Sequence, residues 1–322
     1  MSKRQASPGM DGVLAIWKPA GWTSHDVVAK ARRLLGVKRI GHTGTLDPAV
    51  TGVLPLCVGR ATRFVEYLQE MPKTYEAVLR FGLATDTEDL EGEVIEEADA
   101  SHLSEERIRD AVLSFVGEIE QIPPMMSAVK VNGKRLYELA REGVTVERKP
   151  RKATIHDIDI LHVAAGSPRP EIRFSVRCSK GTYIRTLCVD IGRRLGVPAV
   201  MASLIRTESA GLRRQDCVTL EEIPALVQSG ELAEKLIPGD RLLTHLPRTT
   251  AASLECLHAI QGKPIPAARL QPVPSGSRLW LVDREDGGFL GIFEWEEESG
   301  RLRAVKVFPP EGEREPDGKE AD

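Results

Sequence analysis

The chain has 322 residues, of which 41% are hydrophobic and 28% are charged, so it is long enough for one large and one small domain. Its five cysteines form no C-x-x-C pair and its seven histidines show no ligand spacing, which argues against a disulfide framework and a structural zinc site. No stretch has the length and apolar character of a signal peptide or a membrane span, so we expect a cytoplasmic protein.

The formal net charge of −3 conceals an uneven distribution along the chain. The net charge is +6 over residues 1–85, −11 over 86–121, +10 over 122–215 and −8 over 216–322. The two basic blocks could fold onto one positive face that binds nucleic acid. Alternatively, the charges could be spread over a solvated surface, and charge alone does not choose between these arrangements.

Apolar periodicity, together with Gly, Pro and capping residues, predicts the elements of the first part of the chain. In chain order, we predict a buried strand in 12–22 that ends at Lys18-Pro19, a helix over 23–36 with Ser24 as its N-cap, a strand over 52–59, a helix over 61–68, a half-buried strand over 74–83, a solvated acidic segment at 85–94 and a capped helix over 104–117.

The second part mixes strands and helices without regular alternation, which favours an α+β fold over a doubly wound sheet. We predict a strand, an Asn-Gly turn and a short helix within 127–143, paired strands over 153–163 and 171–179, a helix over 182–196, one or two short helices over 219–237 and short strands over 277–308. The predicted organisation is a flexible N-terminus at 1–10, a large domain at 11–245, a small β-rich domain at 246–309 and a disordered charged tail at 310–322.

The stretch GHTGTLDPAVTGVL at 41–54 surrounds one carboxylate, Asp47, with residues of permissive or fixed backbone. Its glycine spacing fits neither a P-loop nor a dinucleotide-binding turn, and it has no Ser or Cys nucleophile. Pro48 biases Asp47 toward an extended backbone, while Gly44 and Gly52 allow tight turns or close approach to a ligand. We interpret the loop as a rigid mount for a catalytic carboxylate; an Asp-Pro turn without a chemical role is the alternative.

A reacting carboxylate in a dry pocket needs a cation to keep it ionised and oriented. The segment SKGTYIRTL at 179–187 offers Arg185, in the first turn of a predicted helix. Lys18 and Arg60 are weaker candidates, and Arg185 could instead be a phosphate clamp or a surface charge.

Two tyrosines stand next to cations, Tyr75 in KTYE and Tyr183 in KGTYIR. An aromatic ring between cations suits stacking on a nucleobase beside its phosphate. The alternative for both rings is a place in the core.

Five segments, taken together and in order, resemble the bacterial TruB family of tRNA pseudouridine synthases. They are KPAGWTSHDVV, RIGHTGTLDPAVTGVLPLCVGRATR, KTYEAVLRFGLATDTEDLEG, QIPPMMSAVKVNGKRLYELAREG and CSKGTYIRTLCVDIG. The resemblance extends from about residue 13 to about residue 245. It implies a pseudouridine synthase catalytic domain on a mixed, largely antiparallel central sheet, followed by a small C-terminal RNA-binding domain of the PUA or PUA-like type.

The resemblance also implies roles for individual residues, by their places in these motifs. The catalytic aspartate falls on Asp47, and the arginine that pairs with it on Arg185. The tyrosine that stacks on the target base falls on Tyr75, and a second active-site tyrosine on Tyr183. The remaining roles fall on His42, which occupies the opened T-loop, on Leu204, which contacts the base, and on Lys18, which supports the site.

The implied reaction converts uridine 55 in the TΨC loop of tRNA to pseudouridine after the base has been flipped out of the loop. The family implies no cofactor, no metal, no membrane and no obligate protein partner, and it suggests a monomer that binds the tRNA T arm. One alternative is a tRNA-binding folding factor, an RNA chaperone whose modification activity is secondary or lost. Another is a related synthase that depends on guide RNA and protein partners.

Overall fold

The computed structural model describes residues 10–127, 129–131, 133–144 and 146–309. The chain divides into two compact units between Ile237 and Pro238. The flexible segment predicted at 1–10 lies outside the described residues except for Met10, and so does the disordered tail predicted at 310–322.

The first unit is built mainly on strands. Apolar residues recur at every second position in many of the segments that form them, a pattern that favours strands. They are β1 (Gly12–Lys18), β2 (Ile40–His42), β3 (Thr51–Val58), β4 (Lys73–Phe81), β5 (Leu83–Thr85), β6 (Val94–Glu97), β7 (Gly117–Gln121), β8 (Lys130–Val131), β9 (Lys134–Arg135), β10 (Arg151–Ala164), β11 (Glu171–Cys178), β12 (Ala199–Ser209) and β13 (Leu212–Arg213).

Nine of these strands form the central sheet, in the order β1-β3-β12-β4-β11-β10-β7, with β2 paired to β3 and β13 to β12. Strands β3 and β12 run parallel, whereas the other pairs run antiparallel. The sheet is therefore mixed and largely antiparallel, which confirms the predicted fold class. Strand β12 lies between the two halves of the sheet, next to both β3 and β4.

The described helices of the first unit are α1 (Ser24–Leu35), α2 (Val65–Glu70), α3 (Glu105–Leu113), α4 (Leu136–Arg141), α5 (Ile184–Leu195), α6 (Ile223–Ser229) and α7 (Leu232–Lys235). Helices α1, α3 and α5 pack apolar residues against the central sheet. In one core cluster, Ile108 of α3 and Leu187 of α5 pack with Phe174 of β11. In a second cluster, Val27 of α1 packs with Leu54 of β3.

The N-cap of helix α1 lies one residue earlier than the sequence predicted. Thr23, not Ser24, is the N-cap, because its side chain accepts from the Asp26 N–H while the Asp26 carboxylate accepts from the Thr23 N–H, which completes a capping box. Ser24 is the first helical residue, and its buried hydroxyl is free to bond outside the helix. The helix predicted over 61–68 is also divided, into a 3-10 turn at Gly59–Phe64 and α2.

The second unit is built mainly of strands around its own core, which contains Trp280, Phe293 and Leu302. Its elements are α8 (Gly239–Leu242), β14 (Arg248–Ala251), α9 (Ser253–Ile260), β15 (Ile265–Pro266), β16 (Leu270–Gln271), β17 (Leu279–Arg284), β18 (Phe289–Glu296) and β19 (Arg301–Val307). The strands form one sheet in the order β15-β19-β18-β17-β14-β16. This confirms the predicted β-rich, PUA-like C-terminal part, while the predicted boundary after residue 245 stays a prediction.

Among the described residues, no helix has both the length and the apolar character that a membrane span requires.

Candidate active site

The loop that carries Asp47 connects β2 to β3. Because these two strands pair with each other, His42 lies opposite Leu56, and the Thr43 N–H donates to the Pro55 carbonyl at 3.2 Å. The Val50 N–H donates to the Asp47 carbonyl at 3.1 Å, which closes a turn around the Asp-Pro pair.

The backbone on both sides of Asp47 is held by buried side chains. The Ser24 hydroxyl accepts from the Leu46 N–H at 2.8 Å and donates to the Leu46 carbonyl at 3.3 Å. The Lys18 ammonium is fully buried and donates to the carbonyls of Pro48, Pro19 and Trp22 at 3.0, 2.9 and 2.5 Å. The loop is therefore rigid at the residues before and after the carboxylate, as its composition predicted.

The Asp47 side chain faces Arg185, the second residue of α5. The Asp47 Oδ2 lies 3.1 Å from Nη2 of Arg185. The arginine side chain is only 7% exposed, whereas that of Asp47 is 42% exposed. The pair therefore has a buried cation and a reachable carboxylate, which brings together the two groups that the sequence placed 138 positions apart.

Arg185 is itself fixed by other parts of the chain. Its Nη1 donates to the Thr87 carbonyl at 3.0 Å, and its Nη2 donates to the Met126 carbonyl at 2.7 Å. A second carboxylate, that of Asp89, lies 3.9 Å from Nη1. The guanidinium plane is thus set by carbonyls and carboxylates on several sides, a use that suits its rigid fork of donors.

These contacts correct one sequence prediction. The segment at 85–94 was predicted to be a solvated acidic excursion, but its first half supplies Thr87 and Asp89 to Arg185, and Glu88 accepts a hydrogen bond from the Thr186 hydroxyl at 2.8 Å. The acidic residues in the first half of this segment are explained by the buried Arg185, whose charge needs anionic and carbonyl partners. In the second half of the segment, residues 90–94 are exposed except for the half-buried Gly92, in agreement with the prediction for that part.

Partial burial raises the pKa of the Asp47 carboxyl above its ordinary value of 3.8. The Arg185 guanidinium opposes this shift, and the nearby Asp89 carboxylate adds to it. Burial also lowers the pKa of the Lys18 ammonium to about 8, with Asp47 opposing. Arg185 thus limits a shift that the surroundings of Asp47 would otherwise make larger.

Tyr75 and Leu204 lie on neighbouring strands of the central sheet, β4 and β12. Tyr75 is 9% exposed and belongs to the core cluster that also contains Leu46, next to the catalytic loop. Leu204 is partly exposed and packs against the same cluster. Burial raises the pKa of the Tyr75 phenol, so the group is protonated at neutral pH.

His42 is half-buried at the end of β2, and its Nδ1 accepts from the Gly44 N–H at 3.3 Å. Burial lowers the pKa of its imidazole below 6.5, and the charge on Arg206 acts in the same direction. His42 is therefore a neutral imidazole at neutral pH, with its Nδ1 lone pair directed to the loop.

Tyr183 is the N-cap residue of α5, two positions before Arg185. The side-chain amide of Gln121 holds its backbone from both sides, accepting from the Tyr183 N–H at 3.0 Å and donating to the Tyr183 carbonyl at 3.1 Å. Gln121 is buried, so this clamp fixes the start of the helix that carries the arginine.

Sequence reasoning missed several residues that shape the site. Arg206, Gln121 and Ser24 are buried and bond to the backbone of the loop or of α5. Their contacts join residues distant in the chain, so no local pattern indicates them. Arg60, a weaker candidate for the cation, instead lies 3.8 Å from the Asp11 carboxylate.

In the described part of the chain, no group of three or more His, Cys, Asp and Glu side chains is arranged to hold a metal ion.

Comparison with known proteins places the chain in a family. The model of the N-terminal domain of TruB family pseudouridylate synthases matches residues 32–184, and the model of the tRNA pseudouridylate synthase B C-terminal domain matches residues 185–244.

Curated relatives match over most of the chain. The tRNA pseudouridine synthase B of Bacillus licheniformis is 52% identical over 297 residues, which cover 92% of each chain. The protein of the same name from Symbiobacterium thermophilum is 51% identical over 81% of this chain and 85% of its own, and that from Bacillus subtilis is 44% identical over 95% and 100%.

Solved structures support the same fold. A chain from a Cbf5-Nop10-Gar1 complex is 26% identical, with a TM-score of 0.70 over 92% of this chain and 84% of that chain. A chain from an H/ACA RNP bound to a substrate RNA has a TM-score of 0.71 over 93% and 85% at 23% identity, a likeness of fold alone. The chain belongs to the TruB family of pseudouridylate synthases.

Proposed function

We propose that this protein isomerises uridine 55 in the TΨC loop of tRNA to pseudouridine. Three lines of support lead to this proposal: the membership of the family, the name tRNA pseudouridine synthase B that its curated relatives carry, and the geometry around Asp47.

The observation that carries the proposal is the pairing of Asp47 with Arg185. The carboxylate is 42% exposed and lies 3.1 Å from a guanidinium that is almost completely buried. A nucleotide can approach the carboxylate from solvent while the cation orients it from the protein side. This is the arrangement that an attacking or charge-stabilising carboxylate requires.

The reaction breaks the N1–C1′ bond of uridine, turns the uracil and forms a C5–C1′ bond. N1 gains a proton and C5 loses one, so no group enters or leaves the molecule. Glycosidases use two carboxylates, one of them to protonate a poor leaving oxygen. Here the leaving uracil anion is already delocalised, so Asp47 suffices, by attack on C1′, by addition to C6 or by assisting glycal formation.

The other residues bind and orient the flipped nucleotide. Tyr75 stacks on the uracil and lies near the C5 proton, and burial raises the pKa of its phenol, so the resting group is protonated at neutral pH. Leu204 contacts the base from the neighbouring strand, and Tyr183 completes the pocket at the start of α5. Lys18 supports the site through the Pro48 carbonyl.

Flipping the target base costs roughly a few kcal/mol, which contacts to the RNA must offset. The basic blocks at 1–85 and 122–215 supply phosphate contacts, and the neutral ring of His42 occupies the space that the base leaves. The β-rich unit after Ile237 acts as a PUA-like RNA-binding domain on the T arm. The protein works as a monomer without an obligate partner or guide RNA.

The test is to incubate the purified protein with an unmodified tRNA transcript and to map pseudouridine along it. Pseudouridine at position 55 alone, made without added RNA or protein, is the expected result. Modification that needs a guide RNA would replace the proposal by a guided synthase. Tight tRNA binding and improved tRNA folding without any pseudouridine would favour the folding factor.

A further inference from the structure

Arg206, in β12, is fully buried and bonds to the loop that carries Asp47. Its Nε donates to the Val53 carbonyl at 2.7 Å, its Nη2 to the Gly44 carbonyl at 3.1 Å, and its Nη1 to the Thr45 carbonyl at 3.4 Å. These acceptors lie on both sides of the catalytic turn. One planar group therefore fixes the beginning of the loop relative to the strand that follows it.

The same residue is the cross-strand neighbour of Tyr75. In the register between β12 and β4, Arg206 lies opposite Tyr75, so their side chains share one face of the sheet. The guanidinium lowers the pKa of the Tyr75 phenol, against the larger effect of burial. Arg206 thus bonds to the Asp47 loop and lies beside Tyr75 on the neighbouring strand.

The packing around Arg206 leaves little room for movement. On its other side, Arg206 pairs with Gly52 of β3, where an added Cβ would lie 2.2 Å from the Arg206 carbonyl oxygen. Only a residue without a side chain lets the two backbones approach so closely. Gly52 is therefore explained by the close approach of the β12 backbone at Arg206, a structural reason that the sequence did not show.

A fully buried cation is costly, and among the described residues no carboxylate lies within 4.0 Å of Arg206. Its charge is compensated by carbonyl dipoles, of which those of Gly44 and Thr45 belong to the catalytic loop. An apolar residue of similar volume would fill the space without that desolvation cost. The guanidinium is thus better explained by what it orients than by stability alone.

We propose that Arg206 is a positioning residue that sets the separation between the Asp47 carboxylate and the Tyr75 ring. This inference rests on the proposed function, in which Asp47 reacts with the nucleotide that Tyr75 holds. Arg206 does not touch the substrate. Its loss should therefore slow the chemical step and leave tRNA binding nearly unchanged.

The experiment compares the wild type with Arg206→Met and Arg206→Lys, and with Arg107→Met as an exposed control on α3. Each protein is assayed below its own melting temperature, after circular dichroism has shown that it is folded. Single-turnover rates of pseudouridine formation are measured at saturating tRNA, and the Kd for tRNA is measured separately, since only this split separates chemistry from binding.

For Arg206→Met we expect a rate about 100-fold below wild type, because a displacement of about 1 Å in a reacting group has an effect of that size. The Kd should change by less than about threefold. Arg206→Lys keeps the charge but cannot bond to the three carbonyls in the same geometry, so its rate should lie between those of Arg206→Met and wild type. The rate of Arg107→Met should match that of wild type.

Either of two results would overturn the inference: a folded Arg206 variant with a wild-type rate, or a loss that appears in the Kd and not in the rate. If Arg206→Met does not fold, the result with Arg206→Lys decides in the same way. A wild-type protein that makes no pseudouridine would instead refute the proposed function.

Discussion

The surroundings of Asp47 shift the pKa of its carboxyl in two opposing directions. Burial and the Asp89 carboxylate raise the pKa of the carboxyl, while Arg185 lowers it. The net shift is upward, and the buried Arg185 guanidinium keeps it smaller than burial and the Asp89 carboxylate would make it. A less hydrated anion is also a better nucleophile than a fully solvated one.

These opposing effects on the Asp47 pKa predict how the single-turnover rate falls at low pH, the acid limb of its pH profile. Because Asp47 must be ionised to react and its pKa is raised, the single-turnover rate should fall on acidification at a pH above 3.8. Arg185→Gln removes the group that opposes the shift, so the limb should move to higher pH and the maximal rate should fall. Arg193→Gln, on the exposed side of the same helix and next to Asp190, should leave the limb in place. A limb at lower pH in Arg185→Gln would contradict this account of the Asp47 pKa.

At the scale of elements, the site is assembled where the β2–β3 loop, α1, α5 and β12 meet. Helix α1, helix α5 and strand β12 each contribute a buried polar side chain that bonds to backbone, and the loop contributes Asp47. At the start of α1, neighbouring residues stabilise the helix and the loop. Thr23 caps the helix, and Ser24 holds Leu46 in the loop that carries Asp47.

The two residues should therefore respond differently to substitution. Thr23→Ala removes the capping box and should reduce the free energy of unfolding by about 1 kcal/mol, with little effect on the rate. Ser24→Ala releases the backbone beside Asp47 and should reduce the single-turnover rate by about tenfold or more. Urea denaturation and the rate assay, applied to both variants, give the comparison. Equal losses of rate in the two would show that the loop is not held by Ser24.

Much of the fold and part of the candidate site could be predicted from the sequence. Alternation in β4 and the apolar stripe of α5 indicated the elements, and the unusual backbone around Asp47 indicated a rigid carboxylate. The pairing with Arg185 followed from chemical need, and the structure places the two side chains in contact.

The rest depended on contacts between distant segments. The acidic residues near Asp89 resembled a solvated loop, because nothing in their own stretch shows the arginine that they surround. Arg206 gave no signal, since an arginine in a strand is ordinarily exposed and its burial is set by β3 and β4 on either side. Ser24 was predicted as the N-cap, because nothing in its own stretch shows the bond of its hydroxyl to Leu46 in the loop.

At the scale of the whole molecule, the proposal requires a protein of net negative charge to bind a polyanion. The distribution of charge makes this possible, because the blocks at 1–85 and 122–215 carry net charges of +6 and +10. Exposed cations such as Lys149 and Lys152 are available for phosphate contacts, whereas the acidic block at 86–121 contributes Asp89 to the interior of the site.

Affinity for tRNA should therefore fall steeply with salt. We expect the association constant to drop by about tenfold or more between about 50 and about 200 mM monovalent salt, because phosphate contacts release counterions. The double variant Lys149→Glu with Lys152→Glu should reduce the slope of log affinity against log salt, and Arg107→Glu, in the acidic block, should not. A flat response in the wild type would contradict a charged RNA-binding face.

The central claim is that the Asp47 carboxylate performs the reaction and is not needed to hold the tRNA. The most direct measurement is tritium release from tRNA labelled at C5 of uridine, carried out with wild type, Asp47→Asn and the exposed control Asp110→Asn, alongside the Kd of each for tRNA. Asp47→Asn keeps the size of the side chain but removes its charge, so we expect no release above background and a Kd within about threefold of wild type, while Asp110→Asn behaves as wild type. Release at the wild-type rate by folded Asp47→Asn would contradict the account.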